Sequence, residues 1–155
     1  MDAESNYSSL GWTAARLARH VDVALATVDL SSAQYRMLVQ LARGTEASSA
    51  LAEKLAVSAP SVTTVVDGLV QRGAVERTHS MEDRRRIELA LTESGRTLLA
   101  SAEEALRDRL STIANELDDE VLIADAIDAL AVWGEALDRA RARRHAERTL
   151  SREAR

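Results

Sequence analysis

Apolar side chains recur at helical intervals along most of this chain. Leu10, Ala14, Leu17, Val21, Ala24 and Val28 alternate spacings of four and three residues, which sets them on one stripe of a long first helix. Asp29-Leu30-Ser31-Ser32 breaks the period and supplies capping side chains. A second helix is therefore predicted from about Ala33 to Ala42, carrying Tyr35, Leu38 and Leu41, with Gly44 placed to end it. A short third helix follows from about Ser49 to Leu55. Ala56-Val57-Ser58 reads as a tight turn, with Ser58 as N-cap and Pro60 in the first turn of a fourth helix, where a missing N–H loses nothing. At about 100° per residue, Val62, Val65, Val66 and Leu69 share one face of that helix. Pro60, Thr63, Thr64, Asp67 and Gln71 share the other, and Gly73 stops it.

After Gly73 the period changes from helical to alternating. Ala74 to Arg77 and Ile87 to Thr92 read as two strands, the second with Ile87, Leu89 and Leu91 on one face and Glu88 on the other. The charged stretch from His79 to Arg86 becomes the exposed tip of their hairpin. Thr92 is placed to cap a fifth helix with the stripe Leu99, Ala102, Leu106, Leu110, Ile113 and Leu117. The acids Asp118-Asp119-Glu120 suit the start of a sixth, continued by Ile123, Ile127, Leu130, Trp133 and Leu137. Neither an internal repeat nor a low-complexity linker interrupts the pattern. With one proline and six glycines in 155 residues, a mainly α fold in a single domain is expected.

Two short helices across a tight turn, followed by a two-stranded hairpin with a basic tip, form a winged helix-turn-helix pattern. Small polar side chains let the second helix enter a major groove, and an arginine-bearing tip reaches the narrow, negative minor groove beside it. The candidates for DNA contact are Ser58, Pro60, Ser61, Thr63 and Thr64 on the helix, and Asp83, Arg84, Arg85 and Arg86 on the tip. The serine and threonine hydroxyls can bond phosphates or base edges, and Pro60 or a threonine methyl can touch thymine methyls. None offers a bidentate guanine contact.

Charge first argues against nucleic acid, because the formal net charge is -5. The distribution softens that objection. Residues 1–30 carry 2 basic and 4 acidic groups, residues 31–96 carry 9 and 8, and residues 97–155 carry 9 and 13, so the middle is the least repelled by DNA. Nineteen of the 20 basic residues are arginine, Lys54 being the exception, which fits a GC-rich bacterial coding sequence as well as any physical demand. The absence of cysteine excludes disulfides, thiolate metal sites and thiol catalysis. No apolar run approaches the roughly 18 residues of a membrane span, and Met1 to Tyr7 is polar and acidic, so a cytoplasmic protein without a membrane partner is expected.

Several segments in fixed order resemble the MarR family of bacterial transcriptional regulators. They are Leu30-Ser31-Ser32-Ala33-Gln34-Tyr35, Ser61 to Asp67, Gln71-Arg72-Gly73-Ala74-Val75-Glu76-Arg77, and Glu82-Asp83-Arg84-Arg85-Arg86 followed by Leu91-Thr92-Glu93-Ser94-Gly95. The resemblance implies a DNA-binding lobe over residues 30–96 and a helical dimerisation region, 8–29 and 97–150, built from the first and last two helices. It implies a homodimer on a palindromic double-stranded operator, with Arg85 entering the minor groove and Asp83 bracing it. The chain departs from the family where arginines often stand on the recognition helix, having Thr64 and Gly68 instead. Affinity should then rest on the wing, on helix N-termini and on DNA shape.

Family members often bind small anions or aromatics between the dimer helices and the DNA-binding lobe. Trp12, Arg16 and His20 lie about one helical turn apart, and with Tyr35 they make a candidate pocket for a small aromatic or carboxylate ligand. Ordinary packing of Tyr35 with its hydroxyl satisfied is the alternative. His20, His79 and His145 are widely separated, and surface positions account for them better than a metal site. No phosphate-binding glycine loop, metal-ligand cluster or paired nucleophile and base is present, so neither enzymatic activity nor a cofactor is expected. The arginine-rich end from Arg139 to Arg155 reads as a solvated helix end, with a DNA or dimer contact as the alternative. The leading function is a homodimeric repressor released from its operator by a ligand. The rival is a similar dimer that has lost specific DNA binding and acts through protein partners.

Overall fold

A computed structural model describes residues 3–44, 46–47, 51, 59–79 and 87–153. The expected third helix, about Ser49 to Leu55, lies almost wholly outside these residues, although Leu51 is described and fully buried. Helix α1 spans Ala3–Ala26. It ends in a Schellman motif, in which Asp29 adopts φ 57° while its N–H bonds Ala26 O at 3.1 Å and the Leu30 N–H bonds Leu25 O at 3.0 Å. Leu30 is buried, so the motif also turns an apolar side chain into the core.

Helix α2, Ser32–Ala42, begins with a capping box. The Gln34 N–H donates to Ser31 Oγ at 3.2 Å, and the Ser31 N–H donates to Gln34 Oε1 at 2.9 Å. Helix α3, Ala59–Gln71, buries Val62, Val66 and Leu69 as its apolar stripe predicts. A second Schellman motif closes it. Gly73, at φ 68°, bonds Val70 O, and the buried Ala74 bonds Leu69 O, each at 2.9 Å.

Strands β2, Val75–His79, and β3, Ile87–Leu91, pair antiparallel from Val75 opposite Leu91 to His79 opposite Ile87. The two-stranded wing predicted from alternation is therefore present. The sheet also has a third strand, β1, Glu46–Ala47, on the other side of β3. Two residues are too few to show a period, so only tertiary pairing reveals it. Ile87 is 49% exposed instead of sharing the buried face of Leu89 and Leu91, because it lies at the outer end of the hairpin opposite His79.

Thr92 links the sheet to helix α4, Glu93–Ala114. Its hydroxyl accepts the Gly95 N–H at 3.0 Å and donates to Gly73 O at 2.6 Å, and its own N–H bonds Ala74 O at 3.1 Å. A side chain at position 95 has no room, since a Cβ there would stand 2.0 Å from Ala74 O. The helix thus starts flush against the turn after α3. Its Ala102 and Leu106 then join a core built around Leu25, Leu38, Leu69 and Leu89.

The chain divides into two units at residue 109. The second contains the end of α4, a 3-10 turn at Asn115–Leu117 and helix α5, Glu120–Glu153. Asp119 caps α5, accepting the N–H groups of Val121 and Leu122 at 2.9 and 3.1 Å, as its run of acids predicts. Along α5, Val121, Leu122, Val132, Trp133 and Leu137 are all more than half exposed.

Candidate nucleic-acid interface

The face of α3 opposite its buried stripe presents Pro60, Ser61, Thr63, Thr64, Asp67 and Gln71, all exposed. The Thr64 hydroxyl donates to Pro60 O at 3.2 Å, and its oxygen can still accept. The side chains on this face are small and mostly polar, as entry into a groove requires. Ser58 and the tip residues Asp83, Arg84, Arg85 and Arg86 lie outside the described residues.

Electrostatics at this face depend on two arginines that follow the helix. Arg72 turns back to the end of α1, donating through Nη1 to Asp29 O and through Nη2 to Val28 O at 3.5 Å, with the Asp29 carboxylate 3.6 Å away. It satisfies carbonyls left open at a helix C-terminus, where a cation is favoured. Arg77 on β2 reaches the opposite way and pairs through Nη2 with Asp67 Oδ1. The acid on the exposed face of α3 is thus neutralised from the wing, a pairing that the separate stripes of helix and strand do not announce.

Away from this face, the residues of the candidate ligand pocket are each placed. Tyr35 is half-buried and donates its hydroxyl to Glu103 Oε1 at 2.7 Å. Burial, then the bond to Glu103 and the charge of that carboxylate, push the hydroxyl well above the usual tyrosine range, so it stays protonated and donating. The hydroxyl is satisfied within the fold, as the packing alternative anticipates. His20 is half-buried and not a surface histidine, because Arg109 lies against it, Nε 3.2 Å and Nη2 2.8 Å from Nδ1. In that contact the guanidinium donates and Nδ1 accepts. Trp12 is 67% exposed and Arg16 is exposed. Glu103 and Arg109, both on α4, escape sequence reasoning because 68 and 89 positions separate them from their partners. Arg109 is half-buried near the buried Leu106, and Glu103 is exposed beside the buried Ala102.

Comparison with known proteins converges on one family. A sequence model described as MarR family matches residues 30–87. An uncharacterized HTH-type transcriptional regulator of Bacillus subtilis, YfiV, is 31% identical over 74% of this chain and 71% of its own. The HTH-type transcriptional repressor MdtR of Bacillus subtilis is 34% identical over 64% of this chain and 66% of its own. Among solved structures, the transcriptional repressor CouR bound to a 23-mer DNA duplex superposes with a TM-score of 0.66 at 29% identity, covering 84% of this chain and 89% of that one.

Proposed function

The chain belongs to the MarR family, and is a DNA-binding transcriptional regulator and not an enzyme; from that premise we propose that it is a cytoplasmic homodimeric repressor released from its operator by a small ligand. The polar, exposed face of α3 beside the antiparallel wing is the observation that carries this reading. Each subunit lays α3 in a major groove, with Pro60, Ser61, Thr63 and Thr64 toward the bases and the Ser58 end toward phosphates. Arg84, Arg85 and Arg86 at the tip approach the adjacent minor groove, with Asp83 bracing Arg85. The repressor MdtR and the DNA-bound repressor CouR support the direction of regulation.

Dimerisation through the first helix and the last two is supported by apolar side chains such as Trp12 and Trp133, which stay 67% and 65% exposed in the single chain. Among the described residues no helix is long and apolar enough to cross a membrane. A ligand that favours a dimer with a different separation of recognition helices lowers DNA affinity by its difference in binding energy for the two forms.

Salt-titrated binding to the DNA flanking its own gene, against random duplex of equal length, tests this reading. Tight binding of two chains per operator, steeply weakened by salt, is expected. Equal affinity for both duplexes would favour the rival, a dimer acting through protein partners. Sedimentation showing a stable monomer at micromolar concentration would remove two-fold operator recognition.

A further inference from the structure

We propose that Arg77, held at the junction of α3 and β2 by Asp67, binds a backbone phosphate of the DNA strand lying between the two grooves. The inference rests on the reading that α3 occupies a major groove and the wing the minor groove beside it. One sugar-phosphate strand always separates neighbouring grooves. A protein with a helix in one and a hairpin tip in the next must straddle that strand, and the junction between the two elements then faces its phosphates. Asp67 stands on the exposed face of α3, and Arg77 crosses to it from β2. On β2, Arg77 alternates with Val75 and lies opposite Leu89, so it projects from the sheet face that carries the core and not from the outer one.

The chemistry suits a phosphate. A guanidinium offers five N–H donors, Asp67 engages Nη2, and the Arg77 side chain is 42% exposed, so donors remain for a second anion. Arg72 is differently placed. Its Nη1 and Nη2 both serve the end of α1, and its side chain is 31% exposed. Asp67 acts on Arg77 in two opposing ways. It fixes the guanidinium at the junction, and its negative charge weakens the attraction for any phosphate, whatever the base sequence. The pair therefore holds down sequence-independent affinity while keeping a donor in register with the backbone.

The test compares the full-length wild type with Arg77→Ala, Arg77→Lys and Asp67→Asn by fluorescence anisotropy on operator and random duplexes across a salt series. Each phosphate contact contributes about 0.9 to the slope of log affinity against log salt. Arg77→Ala should flatten the slope by about that amount per bound chain on both duplexes, and Arg77→Lys should restore it. Asp67→Asn should tighten binding to random duplex by about 3- to 10-fold and narrow the gap between operator and random DNA. An unchanged slope for Arg77→Ala, even with weaker binding, means that Arg77 only braces α3 against the wing and overturns the proposal. Unchanged or weaker binding of random duplex by Asp67→Asn overturns the restraining role of the acid. A wild type without salt-dependent DNA binding defeats the functional reading itself, whereas a steep wild-type slope that Arg77→Ala preserves defeats this inference alone.

Discussion

Tyr35 donates its hydroxyl hydrogen to Glu103 Oε1 at 2.7 Å, tying α2 to α4 across 68 positions of sequence. Because the folded state raises the hydroxyl's pKa, its contribution to stability is complete below the ordinary tyrosine value of about 10 and is lost as pH climbs past it. Tyr35→Phe should cost about 1 kcal/mol at neutral pH. It should also remove the late portion of the phenolate absorbance titration, and with it part of the loss of stability in alkaline solution. Denaturant melts at pH 7 and above pH 10 check both statements.

The contact between His20 and Arg109 makes a prediction about chemistry at position 20. An asparagine oxygen can accept about where Nδ1 does, so His20→Asn should lie within about 1 kcal/mol of the wild type. His20→Lys sets a second cation beside the guanidinium and should be clearly less stable than His20→Asn. Chemical denaturation of the two variants, side by side, decides it.

Two glycines should respond in opposite directions to alanine. At Gly95 the new Cβ would meet the backbone of Ala74, with O at 2.0 Å and C at 2.9 Å, so Gly95→Ala should lose more than about 3 kcal/mol or fail to fold. At Gly68, within α3, the nearest atom is Gln34 Nε2 at 3.4 Å on a flexible side chain. Gly68→Ala should gain about 0.5–1 kcal/mol from helix propensity. Thermal melts of both variants are sufficient.

At the wing tip, Arg85→Ala should weaken operator binding by roughly 1–3 kcal/mol, as expected for one specific arginine contact. Sedimentation should still show a folded dimer. A folded variant that binds operator like the wild type would remove Arg85 from the interface.

Ligand response is expected to depend on Trp12, Arg16, His20 and Tyr35. Since the Tyr35 hydroxyl already serves Glu103, Arg16 is the cation proposed for the acid group of an aromatic ligand, with the Tyr35 ring as a wall. A small aromatic acid should raise the melting temperature of the DNA-free dimer and release operator, because it binds the folded form that DNA does not. Tyr35→Ala and Arg16→Ala should blunt both effects while leaving operator binding in place. A bound ligand located crystallographically away from these side chains would refute the assignment.

What the sequence determined by itself was governed by neighbours a few residues apart. The stripe of Val62, Val66 and Leu69, the helix starts after Ser31, at Thr92 and at the acids Asp118 to Glu120, and the stop at Gly73 all follow from local periodicity and turn chemistry, and all are present. Ordered motifs carried the family as well, because the wing and the recognition helix are contiguous segments. Tertiary structure decided the pairings that no period encodes. These are the two-residue β1 on β3, Arg72 over the end of α1, Asp67 with Arg77, Tyr35 with Glu103 and His20 with Arg109. A long-range polar contact needs only one suitable atom at each end, and charged side chains are plentiful along this chain. The choice among them falls to the packing of α4 and the sheet against the first three helices, which follows from how the apolar stripes assemble and not from any one of them.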